Sequence, residues 1–217
     1  MHRTRKLGTL VAATAVAAMA LGAAVASAGP LAKDTDDHYS PAGATVVGTA
    51  GINTFTAGAV TVTCTQSVAG GKTPATGLKA FNISPLPTFN DGTGVPCNDS
   101  FGFKDTTTTS GVWKLAFLDA AGDETQTEPN SGDRLEVIIP KGGAVVAVTN
   151  AGSPVCTITV APTAAFKVIG TYDDHNKFTV AITNLPIHIT GSIICPTATT
   201  SKFTATYTFT PGLADAG

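Results

Sequence analysis

Residues 166–185, FKVIGTYDDHNKFTVAITNL, carry the pattern that decides the fold class of this chain. Apolar and polar side chains alternate on both sides of a polar turn at 173–176, and Phe178, Val180 and Ile182 fall on one face. Asp and Asn favour such turns because their side chains hydrogen-bond the nearby backbone. The stretch therefore predicts a β-hairpin that buries one face and exposes the other.

Similar alternation predicts strands along most of the 217-residue chain. No segment of twelve or more residues beyond the first 28 shows helical periodicity, and the 36 threonines favour strands because Thr is β-branched. We predict an all-β fold: an antiparallel immunoglobulin-like β-sandwich of roughly eight to eleven short strands, built as one sandwich or as two packed β units. The predicted strands cover residues 59–64, 78–84, 112–119, 134–139, 144–149, 155–160, 166–172, 177–185, 187–194 and 202–209.

The first 28 residues have the three parts of a secretory signal peptide. A basic start with Arg3 and Arg5 precedes an uncharged apolar run over 8–25, and the small residues 26–28 follow it. A retained membrane helix fits less well, because the run is rich in Ala and the small residues come directly after it. We predict that residues 1–28 are a cleaved leader.

Removal of this leader changes the charge of the chain. The leader holds three of the 13 basic residues and none of the 15 acidic ones, so the mature chain carries a formal charge of −5. An acidic chain lacks the basic surface of nucleic-acid-binding proteins, and a hydrophobic content of 43% excludes intrinsic disorder. No later apolar run is long enough for a membrane helix. We therefore predict a secreted, extracellular protein, free or associated with the cell envelope, with no nucleic-acid partner and no integral membrane anchor.

The mature chain divides into three parts by composition. Residues 29–43 contain three aspartates and two prolines, and predict a flexible N-terminal arm. A polar, turn-prone stretch over 125–132 separates the rest into a first β unit, 44–128, and a second β unit, 129–217.

Four cysteines, Cys64, Cys97, Cys156 and Cys195, all lie in the mature part. Four cysteines allow three disulfide pairings, and their spacing matches neither CxxC redox chemistry nor a zinc site. We favour Cys64–Cys97 and Cys156–Cys195, because each pair lies within one half of the chain. Alternation also places Cys64 and Cys156 on the buried faces of their strands.

Candidate catalytic and metal-binding residues are few. The mature chain has three histidines, His38, His175 and His188, but no GxSxG or HExxH motif. His175 follows two aspartates in the predicted hairpin turn, which favours these residue types for backbone reasons. We predict no catalytic, cofactor-binding or metal-binding residue, and no cofactor.

Calcium remains an open alternative, because carboxylates occur at predicted loop ends. These are the stretch 119–124, Asp91 with Asp99, and the turn 173–176. No EF-hand spacing is present, and solubilising turns are the simpler interpretation.

Trp113 and a threonine row also invite a ligand-binding interpretation. Trp113 alternates with Leu115 and Phe117, which predicts a core residue rather than a platform for sugars. The row at 204, 206, 208 and 210 could bind ice or carbohydrate, but cross-strand Thr pairs on an exposed face explain it more simply.

The Ala/Thr-rich leader and the two-disulfide, Gly/Thr/Val-rich β body resemble small exported proteins of actinobacteria. The resemblance is one of composition over the whole chain and implies no activity and no functional residues. We predict a secreted, noncatalytic binding or structural module whose partner is a cell-envelope component or another protein. The alternatives are a secreted hydrolase with noncontiguous catalytic residues, and an oligomeric β-barrel pore lined by amphipathic strands such as 202–209.

Overall fold

The computed structural model describes residues 39–75, 80–90, 92–118, 134–173 and 175–215. The predicted leader, most of the predicted arm and the predicted boundary at 125–132 lie outside these ranges. The described residues contain strands and no helix. The strands are β1 (Tyr39–Ser40), β2 (Thr45–Ala50), β3 (Asn53–Ala57), β4 (Val60–Cys64), β5 (Gln66–Lys72), β6 (Phe81–Asn82), β7 (Thr88–Asn90), β8 (Cys97–Asp99), β9 (Lys104–Thr109), β10 (Lys114–Leu118), β11 (Arg134–Ile139), β12 (Ala144–Asn150), β13 (Ser153–Val160), β14 (Phe166–Tyr172), β15 (Lys177–Gly191), β16 (Thr200–Thr210) and β17 (Ala214–Asp215).

The long strand β15 closes the sheet into a barrel. It pairs with both β13 and β16, and the pairing continues from β16 through β3, β4, β8, β9 and β12 back to β13. These eight strands are all antiparallel to their neighbours, and each of them is paired on both sides. Closure satisfies the backbone groups that an open sheet would expose at its edges.

The other strands of this sheet continue the lines of the eight strands that close the barrel. For example, β2 and β3 follow one another along the same side of β16, through the pairs Ala50–Tyr207 and Phe55–Phe203. Counting such segments together gives eight composite strands, which we label A (β2 and β3), B (β4 and β5), C (β6, β7 and β8), D (β9 and β10), E (β11 and β12), F (β13 and β14), G (β15) and H (β16).

Each composite strand pairs with the next one along the chain, and H pairs back with A. The fold is therefore an up-and-down barrel of eight interrupted strands. The connections A–B, C–D, E–F and G–H lie at one end, which we call the hairpin end. The strand ends that flank the connections B–C, D–E and F–G lie at the other end, where β1 pairs with β17. We call this the terminal end.

This topology confirms the antiparallel all-β prediction but not the immunoglobulin-like sandwich. A sandwich needs two separate sheets, whereas here a single sheet closes on itself. Strands from 44–128 and from 129–217 both enter this sheet. Alternation within each strand is the same in an open sheet and in a closed one. The sequence pattern therefore did not distinguish a sandwich from a barrel.

Several strands differ from the predicted ones. Among the longer strands, β2, β3, β5 and β9 lie outside the predicted segments, as do the short strands β7 and β8. The sequences of β5 and β9, QSVAGGK and KDTTTT, lack alternating apolar residues. The predicted strands 177–185 and 187–194 are largely one strand, β15, which continues through Pro186. The register of β15 against β16 shifts between Ile182 and Leu185, and Pro186 pairs with Thr200 just after this shift.

The two predicted disulfides are both present. Cys64–Cys97 joins the paired strands β4 and β8, with 4.7 Å between the Cα atoms. Cys156–Cys195 joins β13 to the G–H connection, with 5.7 Å between the Cα atoms. Two disulfides indicate an oxidising compartment. Within the described ranges, no helix has the length and apolar character needed to cross a membrane.

Candidate ligand-binding cavity

The barrel interior contains a cavity of about 130 Å³. Side chains from all eight composite strands line it, so the cavity is a property of the closed sheet and not of one loop. Its wall is rich in aromatic residues, among them Phe55, Phe89, Trp113, Phe178, Phe203 and Phe209.

Alternation along each strand explains this apolar wall. On β12, Ala144, Val146 and Val148 are buried, while Val145 and Ala147 between them are only half-buried. On β15, Phe178, Val180 and Ile182 point inward, as predicted from the hairpin pattern. Inward apolar residues on adjacent strands then meet in the barrel interior.

Trp113 is part of this wall. The side chain is buried, which confirms the predicted core position. Its Nε1 donates to the backbone oxygens of Ser110, at 3.0 Å, and Gly143, at 3.3 Å. Because the one polar atom of the indole is bonded to the backbone, the ring contributes apolar surface to the cavity.

Two glycines complete the wall where composite strand B approaches strand C. A Cβ atom on Gly71 would overlap the ring of Phe81, and one on Gly70 would lie 2.9 Å from Cδ of Pro85. The sheet therefore needs glycine at both positions, since any larger residue would push these groups apart.

Three polar side chains lie among the lining residues: Asn53, Thr107 and Tyr207. The Tyr207 hydroxyl and Ser67 Oγ form a hydrogen bond of 2.8 Å. Burial raises the pKa of Tyr207 to about 12, although the hydrogen bond from Ser67 acts in the opposite direction. Asn53 Nδ2 donates to the Gly51 oxygen at 3.0 Å. The lining residues include no charged side chain, which suits an uncharged ligand.

The predicted histidines lie elsewhere. The His175 amide donates to Asp173 Oδ1 at 3.0 Å in the F–G turn, and His188 is an exposed residue of β15. Neither is among the cavity-lining residues. His38 lies outside the described residues. The pocket that the hydrolase alternative requires, with a histidine beside a carboxylate and a serine, does not correspond to this cavity.

The acidic stretches considered for calcium are described only in part. Asp91 and residues 119–124 lie outside the described ranges. Asp173 Oδ1 accepts the amides of both His175 and Lys177, which is ordinary turn geometry. In the part of the chain that the structure describes, no three His, Cys, Asp or Glu side chains come together in a way that could hold a metal ion.

The threonine row forms the cross-strand contacts predicted for it. Thr204 and Thr54 share a hydrogen bond of 2.7 Å, and Thr206 and Thr179 share one of 3.2 Å. The row lies on the exposed outer face of composite strand H, opposite the cavity. H is also paired on both sides within the chain, and its inward residues Phe203, Tyr207 and Phe209 pack against the core.

Sequence reasoning missed three buried carboxyl groups: Asp99, Asp105 and Glu136. Glu136 is 3% exposed, and its Oε2 accepts a hydrogen bond from Lys167 Nζ at 2.9 Å. Asp105 occupies an inward position on β9, whose sequence carries no apolar residue that would reveal which face is buried.

Comparison with known proteins finds no matching family model, no matching curated protein and no matching solved structure. The geometry of the barrel and its cavity therefore carries the functional argument.

Proposed function

We propose that this protein is a secreted, noncatalytic binding protein that holds a small, uncharged, apolar molecule inside its barrel. The observation that carries the proposal is a cavity of about 130 Å³ lined by apolar side chains and only three polar ones. Eight-stranded barrels are wide enough to hold one small ligand among their interior side chains.

The size of the cavity limits the ligand. An engineered apolar cavity of roughly 150 Å³ in another protein stays dry and binds benzene. A cavity of similar volume suits a molecule with about one aromatic ring or a short branched hydrocarbon chain. Burial of apolar surface, at roughly 25 cal/mol per Å², supplies the binding free energy.

The polar side chains of the wall fit this ligand class. The hydroxyl of Tyr207 already has Ser67 as a partner, and the amide of Asn53 has a backbone oxygen. An apolar ligand therefore leaves these hydrogen bonds intact, whereas a charged ligand would be desolvated without a counter-charge.

Benzene and p-xylene are suitable probes for the experiment. Trp113 is the only tryptophan and lines the cavity, so its fluorescence reports on occupancy directly. We expect both probes to raise the melting temperature and to change the Trp113 emission in a saturable way. No change in either signal would contradict the proposal.

Two variants of neighbouring residues on one strand provide the matched comparison. Val146→Phe places a larger side chain in the cavity, and Val145→Phe adds the same group to the outer face of β12. We expect the first to abolish probe binding and the second to preserve it. Equal binding by both folded variants would show that the probes bind outside the cavity.

Export is the second part of this proposal. The composition of residues 1–28, the two disulfides and the likeness to small exported proteins of actinobacteria all favour it. We expect the protein recovered from culture supernatant to begin at Gly29, as N-terminal sequencing would show. Recovery only from cells, with residues 1–28 still attached, would contradict export.

A further inference from the structure

Two residues with buried carboxyl groups occupy neighbouring strands of the barrel wall near the hairpin end. Asp105 is 0% exposed and Asp99 is 9% exposed. They belong to neighbouring strands, β9 and β8, and both occupy buried positions in the alternation of those strands. Cys97 is the direct partner of Asp105 in the register, so Asp99 occupies the adjacent diagonal position on the same face.

The hydrogen bonds of the two groups are unequal. Asp99 Oδ1 accepts the backbone amides of Phe101 and Phe103, each at 2.8 Å. Within the described part of the chain, Asp99 Oδ2 and both carboxyl oxygens of Asp105 have no hydrogen-bond partner. Of the four carboxyl oxygens of the two residues, only Asp99 Oδ1 therefore has a hydrogen-bond donor within the described residues.

No positive charge faces this pair from the strands packed around it. Lys104, the cation on β9, is exposed, and its Nζ donates to Asn98 Oδ1 at 2.7 Å. The neighbouring strands β12 and β7 carry no ionisable side chain, and Asp99 is the only one on β8. Burial, and secondly the charge of Asp99, raise the pKa of Asp105 to about 7.

We propose that Asp105 and Asp99 hold one proton between them, and that loss of this proton at higher pH destabilises the hairpin end of the barrel. With the proton present, the carboxyl of Asp105 donates to the free Oδ2 of Asp99, and both groups are satisfied. Without the proton, two carboxylates repel one another in a dry interior, and the C–D hairpin loosens to admit water. This proposal is independent of any ligand in the cavity.

The sign of the pH dependence follows from proton linkage. The pKa of Asp105 is higher in the folded protein than the ordinary value of 3.8, so the folded state binds the proton more tightly. Stability is therefore complete below the ordinary pKa and falls as the pH rises towards about 7. For one proton, the unfolding equilibrium constant rises about tenfold for each pH unit in that window.

The experiment measures unfolding by denaturant at pH 5, 6, 7 and 8 with both disulfides intact. We expect the steep decline in stability for the unmodified protein and a flat profile for Asp105→Asn. Asp173→Asn is the control, because Asp173 also accepts two turn amides but lies in the exposed F–G turn. An Asp105→Asn profile as steep as that of the unmodified protein would overturn the proposal.

Two further measurements keep the proposal testable if the Asn variant does not fold. The infrared carbonyl band of a protonated carboxylic acid should be present in the unmodified protein at pH 5 and lost above pH 7. A spectrum without that band at pH 5 would show that Asp105 and Asp99 do not hold a proton. Calcium chloride added at pH 8 should leave stability unchanged. A saturable stabilisation by calcium would mean that the pair binds a metal ion instead.

Discussion

The hydroxyl of Tyr172 accepts a hydrogen bond of 2.9 Å from the backbone amide of Leu213. Both residues are almost completely buried, and the contact fixes the C-terminal segment across the terminal end of the barrel. Tyr172→Phe leaves the Leu213 amide buried without this acceptor, so we expect a loss of roughly 1–3 kcal/mol of stability. Denaturant unfolding and hydrogen exchange at Leu213 would measure it, and unchanged exchange would contradict it.

The ion pair between Glu136 and Lys167 is asymmetric. Glu136 is 3% exposed, whereas the Lys167 side chain is 62% exposed. Lys167→Met removes the counter-charge of a buried carboxylate, and we expect a loss of roughly 1–3 kcal/mol in denaturant unfolding. Lys202→Met, at an exposed position on composite strand H, is the control and should have little effect. Equal effects of the two variants would show that Lys167 contributes only as a surface charge.

Gly71 is required where composite strands B and C approach. In Gly71→Ala the new methyl group would overlap the ring of Phe81, which itself lines the cavity. We expect overpacking of this kind to cost roughly 1–3 kcal/mol, measured by thermal or denaturant unfolding. Gly51→Ala is the matched control, because a Cβ atom there meets nothing within 4 Å. A stable Gly71→Ala protein with an unchanged Trp113 spectrum would be inconsistent with this packing.

The two disulfides should differ in what their removal exposes. Cys156–Cys195 holds the G–H connection, where Ile193 and Ile194 are exposed, whereas Cys64–Cys97 joins strands that already pair. Replacing either pair with Ser should cost roughly 3–4 kcal/mol through loop entropy. Limited proteolysis should cut near Ile193 only in the variant without Cys156–Cys195. Similar cleavage of both variants would indicate that the first disulfide restrains this connection equally.

Many individual strands, though not the barrel, were predictable from sequence because side-chain alternation is a local signal. The hairpin at 166–185, the inward face of β4 and the burial of Trp113 all follow from neighbouring residues. The disulfide pairing was also predicted, because each cysteine pair lies within one half of the chain. By contrast, closure depends on composite strand H pairing with A, more than 140 residues earlier in the chain. No local pattern reports a contact between residues so far apart.

The candidate sites were less accessible to sequence reasoning. The cavity wall combines residues from eight separate strands, so none of them forms a motif. The burial of Asp99 and Asp105 was missed for another reason. Asp105 lies in a run of threonines, where inward and outward positions have similar polarity. Its burial depends on Cys97 and Val148, the residues that the neighbouring strands place beside it.

The pairing of β1 with β17 brings the two ends of the described chain together at one end of the barrel. Apart from H–A, every pairing between composite strands joins two strands that follow one another along the chain. The cyclic order of the strands would therefore be the same if the chain began at another strand. A circular permutant could therefore join residue 215 to residue 39 through a short linker and begin at Gly152, in the exposed E–F turn. Such a chain would retain both disulfides and lose only the E–F connection. Its A–H pairing would become local, so the barrel should close earlier during folding.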